Sequence, residues 1–227
     1  MPWVPIPPDW RDAMTAEVPP GSALIVFARE PVPGQVKTRL IPALGAAGAT
    51  RLYRHLLDIA LRAAGATPAA SRRLWCAGAP PDGGHCAHLA RQHGLTWRHQ
   101  PAGDLGARMA AALTATLAES DRAVLIGSDC PEYSPNYLTA AFAALDDCDA
   151  VLGPAADGGY VLIGLRRPAP ELFAGIHWST GTVLEETRTA LQRLGLTWTE
   201  LPTLCDLDRP EDLADFPHLL NTDRRLD

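Results

Sequence analysis

The stretch Leu24-Ile-Val-Phe-Ala-Arg-Glu-Pro-Val-Pro-Gly-Gln-Val-Lys-Thr-Arg-Leu40 decides the predicted fold. It begins within a continuous apolar run, Ala23 to Ala28, which predicts a fully buried β-strand. Pro31, Pro33 and Gly34 then break the chain into a loop. A buried strand that leads through a loop into a helix is an arrangement that binds phosphates in α/β proteins.

The same loop contains three cations, Arg29, Lys37 and Arg39. Guanidinium, ammonium and backbone N–H groups can converge there on one anion. The alternative is a surface loop whose basic side chains are only solvated. The loop matches neither a Walker motif nor a G-x-G-x-x-G turn, so this stretch alone leaves the two interpretations equal.

The composition indicates a globular protein with an anionic small-molecule ligand. The chain has 227 residues, enough for one large or two small domains, and 47% hydrophobic residues, enough for a sizeable core. Its net charge is −6 and its pI is about 5.6, which argues against a nucleic-acid partner. A basic loop inside an acidic chain favours a small anion instead.

The expected compartment is the cytoplasm. Five scattered cysteines, an odd number, are typical of reduced thiols and not of a disulfide framework. The N-terminus lacks the uninterrupted apolar segment of a signal peptide. No apolar run approaches the roughly 20 residues of a membrane span.

Short apolar strands alternate with amphipathic helices along the chain, which predicts a single α/β domain with a mostly parallel central sheet. The predicted strands are 23–28, 72–77, 95–99, 123–127, 149–153, 161–165 and 197–201. The predicted helices are 45–64, a short one ending near residue 94, 109–117 with Asp104 as its N-cap, 134–145, 183–194 and a short one from residue 210.

The domain is expected to span residues 23–220. Residues 1–22 form a proline-rich N-terminal arm, and 221–227 a polar tail. Trp3 and Trp10 could anchor the arm against the body or against a second subunit of a homodimer, although the pattern favours a loosely docked tail.

Four polar stretches follow predicted strands: Arg29–Arg39, Gly103–Arg108, Ser128–Pro131 and Asp157–Tyr160. Asp206 and Asp208 follow the last strand and could join them. Ligands of parallel sheets bind beyond the carboxyl ends of the strands, so we expect these stretches to meet at one site.

Two carboxylates are candidate metal ligands. Asp129 ends an apolar strand, where an isolated carboxylate would be costly, and Asp208 lies at a strand-to-helix turn. Together they could hold one Mg²⁺, with phosphate oxygens and waters completing its shell. The alternatives are that Asp129 caps the following turn and that Asp208 caps the helix before Pro210.

Two further segments are candidates for binding a second substrate. Asp157-Gly158-Gly159-Tyr160 offers a closely approachable backbone and a carboxylate, although the motif alone favours a simple β-turn. Trp178-Ser179-Thr180 offers an aromatic face and two hydroxyls. A helix cap next to a core tryptophan is the alternative there.

Taken together, the sequence resembles the DUF2064 family of bacterial proteins, which are similar to glycosyltransferases of the GT-A type. The resemblance covers nearly everything from Ala23 to about Phe216. It rests on Phe27–Leu40, Gly103-Asp-Leu-Gly-Ala-Arg-Met109, Ile126-Gly-Ser-Asp-Cys-Pro131, Gly153-Pro-Ala-Ala-Asp-Gly-Gly-Tyr160, Trp178-Ser-Thr180 and Asp206-Leu-Asp-Arg-Pro-Glu-Asp212.

This resemblance implies the nucleotide-diphospho-sugar transferase fold, a Rossmann-like sheet with helices on both faces, and a nucleotide-linked donor. It implies that Ala28, Arg29, Gly34, Lys37 and Arg39 bind the donor phosphates and that Gly103, Gly106 and Arg108 lie near the base or ribose. Asp129 and Asp208 would hold Mg²⁺ or Mn²⁺, and Asp157, Gly158, Gly159, Tyr160, Trp178, Ser179 and Thr180 would bind the acceptor. Lys37, Asp129 and Asp157 are the candidate catalytic residues.

Three functions remain open. The first is metal-dependent glycosyl transfer from a nucleotide sugar to a small acceptor. The second is nucleotidyl transfer from a nucleoside triphosphate to a phosphorylated acceptor with release of pyrophosphate, because the basic loop suits a triphosphate. The third is a catalytically silent nucleotide-binding protein, because Ser128-Asp129-Cys130 stands where glycosyltransferases of this fold usually have Asp-x-Asp.

Overall fold

The computed structural model describes residues 3–4, 20–80, 82 and 84–219. Most of the predicted arm, including Trp10, and all of the tail at 221–227 lie outside the described residues. Trp3 forms a parallel bridge with Trp198, and the Val4 N–H donates to the Trp198 carbonyl at 2.8 Å. Trp3 and Val4 therefore contact the sheet.

Within the described ranges, seven strands form one sheet. They are β1 (Ser22–Arg29), β2 (Ser71–Ala77), β3 (Thr96–His99), β4 (Arg122–Ile126), β5 (Ala150–Pro154), β6 (Tyr160–Leu165) and β7 (Trp198–Glu200). Their spatial order is β3-β2-β1-β4-β6-β5-β7. β6 is antiparallel to both neighbours, and the other pairs are parallel.

Five α-helices connect the strands: α1 (Ile41–Ala66), α2 (Gly84–Gln92), α3 (Leu105–Leu117), α4 (Pro135–Asp147) and α5 (Val183–Arg193). Short 3₁₀ helices lie at Thr38–Leu40, Pro170–Phe173 and Pro210–Ala214. α1 is interrupted at Gly45, where φ is 70°. Across the described part of the chain, no helix is both long enough and apolar enough to cross a membrane.

The sheet lies between two layers of helices. Leu24 and Val26 of β1 pack with α1, α2 and α4 on one face. Ile25 and Phe27 pack with α3 and α5 on the other. Because both faces of β1 are covered, the strand is a continuous apolar run, as expected for a central parallel strand. The predicted α/β fold class with a mostly parallel sheet is confirmed.

Some predicted boundaries were wrong. The predicted N-cap of α3 at Asp104 is confirmed, because its carboxylate accepts from the Ala107 N–H at 2.8 Å, and the helix therefore begins at Leu105, four residues before the predicted start. α1 begins at Ile41 and not at Gly45, which lies at the interruption inside the helix.

The strand order brings two loops together. The chain runs from β1 outward to β2 and β3 and then returns to β4 on the other side of β1. In such sheets the crevice between the two diverging loops is the usual ligand site. The segment after β7 also reaches this edge, because the Leu207 N–H donates to the Asp129 carbonyl at 3.0 Å.

Candidate functional site

A cavity of about 490 Å³ opens at the carboxyl end of β1 and β4. Its walls bring together residues from all of the stretches predicted to form the site. The predicted site residues that line it are Ala28, Arg29, Lys37, Arg39, Arg108, Asp129, Asp157, Gly159, Tyr160, Trp178, Ser179, Thr180 and Asp208.

Four predicted site residues, all glycines, do not line this cavity, and each has a structural role. Gly34 is exposed in the loop with φ 81°, and Gly103 precedes α3 with φ 125°. A Cβ on Gly106 would lie 2.7 Å from the Trp178 indole, and one on Gly158 would lie 2.2 Å from the Gly181 carbonyl oxygen. Gly106 and Gly158 therefore permit close packing of the segments that do line the cavity.

Lys37 lies at the centre of the charged part of the site. It is the only lysine of the chain, and its side chain is 3% exposed. Its Nζ atom lies 2.7 Å from Asp129 Oδ1 and 3.7 Å from Asp208 Oδ1, and it donates to the Leu207 carbonyl at 2.5 Å. Three oxygens from two separate segments thus surround one ammonium group.

The backbone of Lys37 is in the left-handed region, with φ 46° and ψ 43°. A non-glycine residue in this region is uncommon and costs about 1 kcal/mol or more. The conformation ends the loop after β1 and begins the 3₁₀ helix at Thr38. Strain of this kind often occurs at functional sites.

Asp208 does not cap the following helix, which was one of the two predicted alternatives. The Asp212 carboxylate accepts from the Asp208 and Arg209 N–H groups at 2.8 and 2.7 Å. The Asp208 carboxylate instead pairs with the Arg39 guanidinium and faces Lys37. It is therefore available to a ligand in the cavity.

Asp129 lies three residues after the end of β4 and lines the cavity, and its side chain is 50% exposed. Carboxylate and carbonyl oxygens are the ligands that Mg²⁺ and Mn²⁺ prefer. The oxygens of Asp129, Asp208 and Leu207 already surround one cationic group, the Lys37 ammonium. This donor set therefore fits a divalent cation.

A second cluster of metal-ligating side chains, Glu30, Cys76 and Cys86, is buried under α2. The two Sγ atoms lie 2.7 Å apart, whereas two thiolates on one tetrahedral zinc would lie about 3.8 Å apart, given a Zn–S distance of about 2.3 Å. The Glu30 carboxylate accepts from the His85 and Cys86 N–H groups at 2.7 and 3.1 Å. This cluster fits a helix cap better than a metal site.

The end of β1 is held by a tyrosine that sequence reasoning missed. The Tyr53 hydroxyl accepts from the Arg29 N–H at 2.8 Å and lies 3.0 Å from the Arg29 carbonyl and 3.1 Å from Ser128 Oγ. Burial, and then the Asp129 charge, raises the pKa of Tyr53 far above its usual value, so the phenol stays neutral. Because Tyr53 lies on α1, far in sequence from Ser128, no sequence pattern indicated this role.

Gln100 was also missed, although it begins the segment that contains Gly103 and Arg108. Its amide Nε2 donates to the Ala28 and Trp75 carbonyls at 2.9 and 3.0 Å. Its Oε1 accepts from Arg108 Nη1 at 2.9 Å. Gln100 thereby fixes the Arg108 guanidinium beside the end of β1. Its place directly after β3 was the only signal in the sequence.

Two further carboxylates, Asp157 and Asp206, form an acidic wall of the cavity. Asp157 Oδ1 accepts from the Gly159 N–H at 2.8 Å, which is the turn-forming role considered from the sequence. Asp206, which the sequence only suggested as a companion of Asp208, also lines the cavity and is half-buried. Burial, and then the neighbouring Asp157 carboxylate, raises the pKa of Asp206 to about 6.

Trp178 forms an aromatic surface next to these carboxylates. Its ring stacks on Phe173 and meets Tyr160 edge to face, with centroids 6.5 Å away in both cases. Ser179 has a left-handed φ of 67°, and the Thr180 hydroxyl donates to the His177 carbonyl at 2.7 Å. The alternative considered from the sequence, a cap of α5 by Ser179 or Thr180, was wrong, because the N-cap position is Thr182.

Solved structures show which proteins share this fold. A Desulfovibrio desulfuricans protein proposed to be a nucleotide-diphospho-sugar transferase is 31% identical, with 91% of this chain and 90% of that chain covered and a TM-score of 0.79. The 4-diphosphocytidyl-2C-methyl-D-erythritol synthase of Anaerococcus prevotii shares the fold at 10% identity, with coverages of 94% and 99% and a TM-score of 0.61. Rv0371c of Mycobacterium tuberculosis, solved in complex with manganese, does so at 18% identity, with coverages of 89% and 99% and a TM-score of 0.51.

The chain belongs to the DUF2064 family, described as "Uncharacterized protein conserved in bacteria", whose match covers residues 60–180. The resemblance seen in the sequence is thereby confirmed. The similar structures agree with the predicted transferase class. Comparison with curated proteins finds no significant match.

Proposed function

We propose that the protein is a divalent-metal-dependent transferase that moves a glycosyl group from a nucleoside-diphosphate sugar to a small acceptor. One observation supports this most directly. Lys37, Asp129 and Asp208 converge at one point of the cavity, beside Arg29 and Arg39. Such a point combines ligands for a metal with ligands for a diphosphate.

The basic loop would bind the donor. Arg29 is exposed, and among the described residues its guanidinium makes no ion pair. Arg29, Lys37 and Arg39 would bind the phosphate oxygens, and Arg108, fixed by Gln100, would lie near the base or ribose. A divalent cation held by Asp129 and Asp208 would neutralise charge that develops on the leaving diphosphate.

The acidic wall would bind the acceptor. Asp157 would orient the acceptor hydroxyl, and Asp206 offers a second carboxylate on the same wall. Trp178 supplies an apolar face beside them. Carboxylates that accept from hydroxyls next to an aromatic face suit a polyhydroxylated acceptor.

The Desulfovibrio relative supports the donor class, since it is proposed to be a nucleotide-diphospho-sugar transferase. The manganese complex of Rv0371c supports a divalent metal within this fold.

Nucleotidyl transfer is the second candidate, and two observations favour it. Ser128-Asp129-Cys130 contains one carboxylate where an Asp-x-Asp motif would have two. The cavity is also lined by three cations of one loop, Arg29, Lys37 and Arg39, which is enough to bind the three phosphates of an attacked triphosphate.

Product analysis separates the two reactions. The protein is incubated with Mn²⁺ and a panel of UDP-, GDP- and ADP-sugars, and separately with nucleoside triphosphates and sugar phosphates. Release of nucleoside diphosphate supports glycosyl transfer, and release of pyrophosphate supports nucleotidyl transfer. Nucleotide binding without metal dependence and without turnover in either assay would indicate the catalytically silent alternative.

Asp129→Asn tests the proposed site within the same assay. The substitution keeps the side-chain size and removes the charge, so we expect turnover to fall by about 10²- to 10³-fold, the range for loss of one electrostatic group in an active site. Asp146→Asn is the matched control, because Asp146 pairs with Arg122 on the surface and does not line the cavity. Equal activities of both variants would contradict the proposed role of Asp129.

A further inference from the structure

We infer that Lys37 is a built-in counter-ion of the proposed metal site: without metal its ammonium lies between Asp129 and Asp208, and it leaves for the donor phosphates when a divalent cation binds. This inference rests on the proposed function, since it concerns the regulation of the same site. The two carboxylates hold the Lys37 ammonium in the absence of metal and a divalent cation in its presence.

The geometry identifies Lys37 as the group that a metal must replace. Its Nζ lies 2.7 Å from Asp129 and 3.7 Å from Asp208 and donates to Leu207 at 2.5 Å. Its side chain is 3% exposed, whereas the Arg39 side chain, which also pairs with Asp208, is 51% exposed. An ammonium and a divalent cation cannot both lie among the same oxygens.

Electrostatics explains why the ammonium occupies this position. Asp129 and Asp208 are brought to one point by the Leu207–Asp129 backbone hydrogen bond, and two facing carboxylates would repel each other without a cation. The ammonium offsets this repulsion. A buried ammonium that is displaced needs new anionic partners, because an unpaired buried charge is costly.

The donor phosphates are the partners within reach, because the loop that contains Lys37 lines the same cavity as Arg29 and Arg39. Lysine suits such an exchange. Its charge is compact and lies at the end of a flexible four-carbon chain, whereas a guanidinium is rigid and planar. Of the 20 lysine and arginine residues, the single lysine stands at this position.

The exchange makes metal and donor binding cooperative. Phosphates attract Lys37 away from the carboxylates and so favour the metal, and by linkage the metal favours the donor to the same extent. Metal alone must displace the ammonium without any compensation. Mn²⁺ should therefore bind weakly to the wild-type protein when no nucleotide is present.

Mn²⁺ binding, measured by the loss of the free-ion EPR signal without nucleotide, tests this directly. Lys37→Met keeps the chain length and removes the charge, so we expect Mn²⁺ to bind at least about tenfold more tightly than to wild type, within the usual range of coupling between sites. Lys37→Arg keeps a cation and should bind Mn²⁺ as weakly as wild type. An Mn²⁺ affinity of Lys37→Met that is equal to or below that of wild type overturns the inference.

Arg29→Met is the matched control, because it removes one positive charge from the same cavity without breaking an ion pair to either carboxylate. We expect its Mn²⁺ affinity to change much less than that of Lys37→Met. An equal gain would mean that only the total charge of the cavity matters and would overturn the exchange.

A measurement on the wild-type protein covers the case in which Lys37→Met does not fold. Lysine labelled with ¹³C at Cε gives one side-chain NMR resonance, since the chain has one lysine. Saturating Mg²⁺ should move this resonance as the ammonium leaves Asp129, and an unmoved resonance contradicts the exchange. Failure of all donors to turn over would refute the proposed function but would leave both of these readouts valid.

Discussion

Each cation of the basic loop meets a different environment. Lys37 is buried between two carboxylates, Arg39 pairs with Asp208 at the surface, and Arg29 is exposed at the end of β1. Their different positions give one loop a buried counter-ion and two outer groups that can meet an incoming phosphate.

Gly106→Ala should disturb the aromatic surface at the acceptor side. The new Cβ would lie 2.7 Å from the Trp178 indole, so the ring must move, and overpacking of this kind costs about 1–3 kcal/mol. We expect a lower urea midpoint and a shifted tryptophan fluorescence spectrum. Gly48→Ala in α1, whose Cβ would lie 3.2 Å from Leu44 Cβ, is the comparison. A Gly106→Ala protein no less stable than Gly48→Ala would contradict this packing.

At the scale of single residues, the sequence predicted those parts of the site in which charged or polar side chains follow a predicted strand. It predicted Lys37 from the basic loop after β1, Asp129 from its place at the end of an apolar strand and Asp208 from its place at a strand-to-helix turn. The structure brings these three side chains together. The sequence could not decide whether Asp208 caps a helix, because that depends on the competing Asp212 carboxylate. Gln100 and Tyr53 were missed because their role lies in hydrogen bonds to the backbone of distant segments.

Among the secondary-structure elements, α2 is attached to the site by a side chain from the end of β1. The buried Glu30 carboxylate accepts from two N–H groups at the first turn of α2. Glu30 directly follows Arg29, so this cap also restrains the start of the basic loop.

Glu30→Ala should lower the free energy of unfolding by about 2–4 kcal/mol, because two buried N–H groups lose their acceptor. Glu30→Gln keeps one acceptor oxygen and should lose about half as much. Urea denaturation measures both. Glu119→Ala, which removes an exposed ion pair with Arg73, should cost less than about 1 kcal/mol. Equal stabilities of Glu30→Ala and Glu119→Ala would contradict the capping role.

The Asp149 carboxylate should make the stability of the pairing between β5 and β7 depend on pH. Burial alone would raise the pKa of Asp149, but hydrogen bonds from the Thr197 N–H and hydroxyl, at 3.0 and 2.9 Å, outweigh it and lower the pKa. A lowered pKa means that the stabilisation is present above the unfolded value of about 3.9 and is lost as the pH falls through the folded value.

Asp149→Asn should therefore lower the free energy of unfolding by about 1 kcal/mol near neutral pH, a contribution kept small by partial exposure of the carboxylate. The loss should become smaller as the pH falls from about 5 to about 3. Chemical denaturation across this range measures the difference. The exposed neighbour Asp147, changed to Asn, is the control. A cost that stays constant or grows as the pH falls would contradict the linkage.

Elements were predictable where periodicity was strong, and β1, α4 and α5 needed little more than their apolar patterns. For α3 the N-cap at Asp104 was predicted correctly, but the start was placed at residue 109 because Gly106 resembles a break, whereas its contact with Trp178 makes it part of the first turn. The antiparallel direction of β6 could have been inferred, because the connection between β5 and β6 is too short for a parallel crossover.

The whole molecule carries a net charge of −6, yet it concentrates cations at one end of its sheet. The strand order explains how this arises, because the loops after β1 and β4 adjoin and the segment after β7 returns to the same edge. This order follows from long-range strand pairing, which local sequence patterns do not encode. The alternation of elements sufficed for the fold class but not for the position of Asp208 beside Lys37.

Crystals grown with Mn²⁺ and a nucleoside diphosphate would locate the metal and the donor in one anomalous difference map. We expect a manganese peak between the Asp129 and Asp208 carboxylates, with phosphate density against Arg29, Lys37 and Arg39. A peak at Glu30, Cys76 and Cys86, or nucleotide density outside the cavity, would contradict this expectation.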